Sequence, residues 1–262
     1  MIRQLAELRG FGYLFRNFLS RDLSSRYKGS LLGVAWSLMN PLVMMAIYTV
    51  VFSVIFRSKQ ADFAILLLAA YLPFFFFQSA ISLGVSTLVA NAGLIKKVYF
   101  PRELLPLSMT AASFVNFLFT MILLLPAAAY ARGGINGLAM LALIPVAASF
   151  FLATAGLVML LAALNVYFRD VEFLSGIVLT VLFYLTPVVY TLQFVDQQSH
   201  TVELWIGRNP LTPFTEAFRT AIYYKQVPVT IQLLECVGIG IGGFMIGYAV
   251  FNRLKGRLAE EL

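Results

Sequence analysis

Six long uncharged runs divide the chain, and no other feature of the sequence limits its fold as strongly. Each run reaches the roughly 20 apolar residues that a helix needs to cross a bilayer core about 30 Å thick. The runs lie between Lys28 and Arg57, Asp62 and Lys96, Glu103 and Arg132, Arg132 and Arg169, Glu172 and Asp196, and Lys225 and Arg253, and only the last is interrupted by a charged residue, Glu235. Their apolar residues are consecutive, as in the Ile-Leu-Leu-Leu of residues 122–125, which argues against the alternating pattern of a β-barrel.

We therefore predict an all-α membrane protein with six transmembrane helices. The spans are expected near residues 31–56, 66–90, 105–130, 138–164, 173–194 and 231–252, within a membrane domain of residues 29–262. Only 12% of the residues are charged, against roughly 25% in soluble domains. Residues 1–28 are predicted to form an amphipathic interface helix, because apolar residues recur there at spacings of three and four with arginines among them.

The distribution of basic residues predicts the orientation. If the N-terminus is inside, thirteen of the 19 Lys and Arg residues fall in inner segments and six in outer ones. Because inner loops of membrane proteins are enriched in Lys and Arg, both termini are expected in the cytoplasm. The same excess accounts for the net charge of +7 without a nucleic-acid partner.

Motifs that carry catalysis are missing from the sequence. It contains no G-x-x-x-x-G-K-[ST] phosphate loop, no H-E-x-x-H, no C-x-x-C and no G-x-S-x-G. With one histidine, His200, and one cysteine, Cys236, a dedicated zinc site is not expected. We predict no catalytic, cofactor-binding or metal-binding residues on this chain. Glu235, the one charged residue inside a predicted span, has either an interfacial position or a pathway or pairing role.

Proline and aromatic residues single out spans one and five. Asn40-Pro41 and Pro187 lie inside these spans and predict kinks, which membrane helices tolerate where neighbouring protein or a cavity satisfies the freed carbonyls. The same two spans carry Trp36, Tyr48, Phe52, Tyr184 and Tyr190. Aromatic faces suit sliding sugars, although lipid contact or helix packing is the alternative for each residue.

Two connections between spans have a distinctive composition. Residues 91–102, NAGLIKKVYFPR, form the longest inner connection and mix apolar with basic residues, which suits docking on a cytoplasmic partner. Residues 196–228 form the long outer segment. Two prolines break it at residues 209–214, and Phe214, Phe218, Ala221 and Ile222 then keep a helical spacing, which predicts short amphipathic helices.

Three sequence blocks resemble one protein family. They are RDLSSRYKGSLLGVAWSLMNPLVMMAIYTVVFSVIF at residues 21–56, LIKKVYFPRELLP at 94–106 and NPLTPFTEAFR at 209–219. In this order they are similar to the transmembrane permease subunit of bacterial ABC exporters for polysaccharides such as O antigen, capsule or teichoic acid. The resemblance covers essentially the whole chain.

The resemblance implies a homodimer in the bacterial inner membrane that exports a lipid-linked glycan, most simply O antigen. Two copies of a separate ABC ATPase would bind ATP and Mg, leaving this chain without an enzymatic activity. Docking of that ATPase is implied for Arg21, Arg26, Lys28, Lys96, Lys97 and Arg102. Channel positions are implied for Trp36, Asn40, Tyr48, Phe52, Tyr184, Pro187 and Tyr190, and an outer gate with short re-entrant helices for Asn209, Pro210, Pro213 and Phe214.

Three alternatives stay open from the residues themselves. The first is an ABC exporter permease for a drug or a small lipid, because the motifs do not specify the substrate. The second is a membrane enzyme that acts on lipid-linked sugars, which would need buried acids, bases or a metal pair. The third is an ion-coupled carrier, which would transport without an ATPase.

Overall fold

The computed structural model describes residues 11–27, residues 39, 42–44, 46–47 and 50–51, and residues 62–261. All the regular secondary structure in these residues is helical, which confirms the predicted all-α class. The helices used below are α1 (Gly12–Tyr27), α2 (Phe63–Gly84), α3 (Thr87–Ala90), α4 (Ala92–Lys97), α5 (Leu104–Arg132), α6 (Gly137–Tyr167), α7 (Asp170–Leu185), α8 (Leu192–Gln198), α9 (His200–Gly207), α10 (Thr212–Ile222), α11 (Thr230–Leu254) and α12 (Leu258–Glu261).

Four of the described helices, α2, α5, α6 and α11, are long and apolar enough to cross a bilayer. The protein is therefore a multi-pass membrane protein. These helices correspond to predicted spans two, three, four and six, and α5, α6 and α11 begin and end within a few residues of the predicted limits. Predicted span one, residues 31–56, lies outside the described residues apart from scattered positions that are mostly helical.

The bundle has two ends that differ in their contacts. At one end, Arg132 at the end of α5 pairs with Asp62, 3.3 Å away, just before α2. There, Lys225 Nζ donates to the Arg132 carbonyl at 2.7 Å, and Asn136 at the start of α6 donates to the Lys225 carbonyl at 3.1 Å. We call this the Lys225 end. The opposite end, which holds α3, α4 and the ends of α6 and α11, is called the α4 end.

Glycines bring α6 and α11 into direct backbone contact. A Cβ atom added to Gly240 would lie 2.5 Å from the Ser149 carbonyl oxygen, and one added to Gly247 would overlap the backbone of Gly156. Small residues let membrane helices approach this closely, which increases their van der Waals contact. α6 and α11 therefore pack as one tightly joined pair.

Helix α7 is shorter than predicted span five, residues 173–194. It ends at Leu185, and Thr186 has an extended backbone with φ −101° and ψ 137°. The reason is Pro187, since the residue before a proline is disfavoured in the helical region and proline has no N–H to donate. The predicted kink within a span is instead a helix end, followed by a turn and by α8.

Helix α10 confirms the helical spacing expected after residue 211. Its residues Phe214, Phe218, Ala221 and Ile222 are all buried. The Phe214 ring stacks on Phe150 of α6 with centroids 4.6 Å apart, and Phe218 meets Phe117 of α5 edge-on at 5.6 Å. Phe150 lies about 20 Å along α6 at 1.5 Å per residue, so α10 starts deep within the bundle and runs towards the Lys225 end.

Candidate functional site: docking surface, channel wall and gate

The segment after α3 presents basic and aromatic side chains at the α4 end. Ile95 and Phe100 are buried and anchor the segment to an apolar cluster, whereas Lys96 and Lys97 between them are exposed. Tyr99 is 96% exposed. Residues 95–100 and Arg102 line an open hollow of about 250 Å³. The exposed Lys96, Lys97 and Tyr99, anchored by the buried Ile95 and Phe100, form a surface suited to binding another macromolecule.

Helix α1 packs beside this segment. The Phe18 ring lies 5.6 Å from that of Phe100, and Arg21 donates to the Asn91 side chain at 3.3 Å. The Arg21 guanidinium also lies 5.2 Å from the Phe18 ring, and its side chain is half-exposed. The structure thus places Arg21 next to the α3–α4 segment. Lys28 and the side chain of Arg26 lie outside the described residues.

Arg102 has a different environment from the neighbouring lysines. Its guanidinium donates to the Lys255 carbonyl, and the side chain is only partly exposed. The next residue, Glu103, is buried and pairs with the Lys255 ammonium at 2.9 Å. Within the α4 end, Arg102 and Glu103 therefore connect the start of α5 to the end of α11, a role that the sequence did not reveal.

The candidate channel wall is α7, which has a continuous exposed apolar stripe. The stripe consists of Phe173, Leu174, Ile177, Val178, Val181, Tyr184 and Leu185. Tyr184 is 64% exposed. Tyr190 donates to the Tyr184 carbonyl at 2.7 Å and is half-buried, whereas Pro187 is buried. Trp36, Asn40, Tyr48 and Phe52 lie outside the described residues.

Arg219 of α10 holds the turn that follows α7. The side chain is fully buried, and its guanidinium donates to the carbonyls of Pro187 at 2.7 Å and Val188 at 3.0 Å. It also pairs with Glu216 one turn earlier. Buried carbonyls that no helix satisfies are costly, so one guanidinium that bonds two of them stabilises the break. The sequence gives no sign of this role, because Arg219 stands there only as one of the basic residues of segment 196–228.

Of the predicted gate residues, Asn209 bonds the same helix end. Asn209 donates to the Leu185 carbonyl at 3.2 Å and to the Thr186 hydroxyl at 2.9 Å, and its own oxygen accepts from the Leu211 N–H at 3.0 Å. Pro210 is exposed, Pro213 is partly exposed and Phe214 is buried. Asn209 therefore bonds the end of α7, between the predicted channel residues Tyr184 and Pro187.

A family model described as "ABC-2 type transporter" matches residues 13–223, which is most of the chain. The chain belongs to the ABC-2 type transporter family. It is 27% identical over 263 residues to the "O-antigen export system permease protein RfbA" of Myxococcus xanthus, with 100% of both chains covered. It is also 30% identical to two proteins of that name from Klebsiella pneumoniae, over 263 and 256 residues, each with 96% of both chains covered.

In this ABC-2 transporter chain, the blocks that carried the resemblance supply residues to two places. Arg21, at the start of the first block, bonds Asn91, three residues before the second block, at the α4 end. The third block, residues 209–219, supplies both Asn209 and Arg219, which bind the end of α7. The family membership agrees with the resemblance inferred from these residues, and it assigns the chain to the membrane subunits of transporters.

Proposed function

We propose that this chain is the permease subunit of an ATP-driven exporter that moves lipid-linked O antigen across the bacterial inner membrane. The observation that carries the proposal is the end-to-end similarity to O-antigen export permeases of two bacteria. A long glycan cannot cross hydrocarbon, because its hydroxyl groups would lose their hydrogen bonds to water. A hydrated path between protein helices removes that cost.

The energy source in this proposal is a separate ABC ATPase, present in two copies, which binds ATP and Mg. This chain has no phosphate-binding loop in its sequence. The exposed Lys96, Lys97 and Tyr99, with Arg21 of α1 beside them, supply the surface on which the ATPase docks. Charge complementarity at such a surface would favour an acidic patch on the partner.

The proposed topology has six spans and both termini in the cytoplasm. Helices α2, α5, α6 and α11 are four of the spans, α7 with residues 186–191 is the fifth, and residues 31–56 are the sixth. The α4 end is cytoplasmic in this arrangement, which is supported by the basic residues that gather there, including Lys96, Lys97, Arg253, Lys255 and Arg257.

In the proposed transport unit, two copies of the chain enclose the pathway. The exposed stripe of α7, with Tyr184, faces the pathway or the second copy, and residues 31–56 complete the wall. Residues 209–222 re-enter from the outer side as a gate, in keeping with the depth of Phe214 beside Phe150. The lipid carrier enters laterally between helices while the glycan threads through the centre.

The test is reconstitution of this chain with its ATPase in proteoliposomes. Lipid-linked O antigen is expected to stimulate ATP hydrolysis severalfold and to be transported only with ATP. An ATPase variant that binds but does not hydrolyse ATP is the matched control and should abolish transport. Capsule and teichoic-acid carriers, a drug and a short lipid are compared under the same conditions.

Three results would contradict the proposal. A flat response to O antigen with stimulation by a drug or a short lipid would favour the small-substrate exporter. Transport driven by an ion gradient without the ATPase would favour a secondary carrier. Covalent change of the lipid-linked sugar by the purified chain would favour an enzyme.

A further inference from the structure

Asn165, near the end of α6, makes two hydrogen bonds that cross between helices. Its side-chain amide donates to the Val85 carbonyl at 3.3 Å, and its side-chain oxygen accepts from the Glu172 N–H at 3.1 Å. The residue is 0% exposed. The amide nitrogen and the amide oxygen of one buried side chain are thus both bonded, the nitrogen to the residue after α2 and the oxygen to the first turn of α7.

The two bonded groups lie at breaks in helical structure. Val85 follows the last residue of α2, and Ser86 separates α2 from α3. Glu172 lies in the first turn of α7, where N–H groups have no partner within the helix. Arg169, which precedes α7, makes no side-chain hydrogen bond to this turn. Asn165 therefore caps α7 from the neighbouring helix while it holds the end of α2.

Packing around Asn165 restricts separate movement of these elements. A Cβ atom added to Gly84 would overlap Val158 of α6, so α2 and α6 are already in close contact beside the amide. Only residues 168 and 169 connect α6 to α7. From Val85 the chain runs through α3 and α4 to the exposed Lys96 and Lys97. We call residues 85–100 the docking segment. Asn165 thus forms a buried polar contact between the start of this segment and the start of α7, the candidate channel wall.

We infer that Asn165 is a positioning residue that couples the docking segment to α7, so that movement of residues 85–100 shifts the first turn of the channel wall. The inference rests on the proposed function, because it assumes that the ATPase acts on that segment. Helix α7 then moves as a lever from its cytoplasmic end, while Arg219 and Asn209 hold its other end. A buried amide suits this task because its hydrogen bonds fix both the distance and the direction between the two helical elements, whereas apolar contacts do not fix the direction.

The functional test measures glycan exported per ATP hydrolysed in the reconstituted complex. Asn165→Leu, which keeps the approximate volume and removes both bonds, is expected to lower this ratio at least fivefold without loss of ATPase binding. Thr154→Val is the matched control. Thr154 is equally buried on the same helix, but its hydroxyl donates to Phe150 within that helix, at 2.8 Å. This control should leave the ratio within twofold of the wild type.

The structural test is amide hydrogen exchange of the purified chain and does not depend on the transported substrate. In Asn165→Leu, exchange at Glu172 is expected to be at least tenfold faster, and in Thr154→Val it should be unchanged. Unchanged exchange in Asn165→Leu would overturn the inference. Faster exchange with a normal export ratio would also overturn it, since Asn165 would then only stabilise the helix end.

A measurement on the wild-type complex covers the case in which Asn165→Leu does not assemble. Addition of ATP should alter exchange in residues 85–100 and in residues 170–175 together. A change confined to residues 85–100 would overturn the inference. Failure of the wild-type complex to export O antigen would instead contradict the proposed function, and the exchange result on the purified chain would still decide whether Asn165 holds α7.

Discussion

The Lys255 ammonium lies 2.9 Å from the Glu103 carboxylate, so an ion pair joins the start of α5 to the end of α11. Glu103 is buried, and 30% of the Lys255 side chain is exposed. Loss of one partner leaves a charge in a site that excludes water, although the partial exposure of Lys255 reduces the cost.

We expect Lys255→Met to destabilise the protein by about 1–2 kcal/mol, because it leaves the buried Glu103 carboxylate without this ion pair. The double variant Glu103→Lys with Lys255→Glu should recover part of this loss. Thermal unfolding of the purified chain in detergent checks both. Arg257→Met, at an exposed position nearby, is the control and should leave the midpoint unchanged. Equal midpoints for all four proteins would contradict the assigned ion pair.

Replacement of Arg219 is expected to destabilise the turn that follows α7. Arg219→Met removes the donor to the Pro187 and Val188 carbonyls and leaves Glu216 unpaired, which should cost about 3 kcal/mol. The midpoint of thermal unfolding and the amount of O antigen displayed on the cell surface should both fall. Arg208→Met, at an exposed position shortly before α10, should stay within about 0.5 kcal/mol of the wild type. Normal display in the Arg219 variant would show that the turn after α7 does not need the guanidinium.

Charge reversal on the docking surface tests the assigned partner site. Lys96→Glu with Lys97→Glu should weaken binding of the ATPase at least tenfold, because both ammonium groups are exposed and face away from the chain. The effect should shrink at high salt, as expected of exposed charges. Pull-down across a salt series is the measurement, with Arg208→Glu, an exposed arginine outside the docking surface, as control. If the double variant binds like the wild type, the ATPase docks elsewhere.

Glycine packing between α6 and α11 gives a prediction with an internal control. Gly247→Ala places a methyl group against the backbone of Gly156 and should destabilise the chain by about 1–3 kcal/mol. Gly238 lies on the same helix with open space around it, and Gly238→Ala should be neutral or stabilising by up to about 1 kcal/mol. Thermal unfolding compares the two. The same effect from both variants would rule out close packing as the cause.

Much of the fold was predictable because hydropathy and charge spacing act locally. The ends of α5, α6 and α11 follow from where charged or turn residues begin, as at Arg132 and Arg253. Exposure of Lys96 and Lys97 also followed from their place in a basic loop. The same local reasoning placed helix α10, since Phe214 and Phe218 mark one buried face.

Other features were not predictable because they depend on residues far apart in the chain. The end of α7 at Leu185 is stabilised by Arg219, which lies 32 residues beyond Pro187. Asn165 gave no signal either, because a single asparagine in an apolar run is indistinguishable from a packed polar residue until its partners are known. Arg102 was predicted as a docking residue, but its guanidinium donates to the carbonyl of Lys255, close to the other end of the sequence.

The shortness of α7 has a consequence for the depth of the turn that follows it. Its 16 residues extend about 24 Å, less than the hydrocarbon thickness of about 30 Å. In the proposed topology, the non-helical backbone at Thr186 and Pro187 therefore lies at the depth of the acyl chains, where no water satisfies a carbonyl. The bonds from Arg219 to the Pro187 and Val188 carbonyls take the place of the missing helical ones. The far end of this span is thus insulated from lipid by side chains of another helix rather than by its own backbone hydrogen bonds.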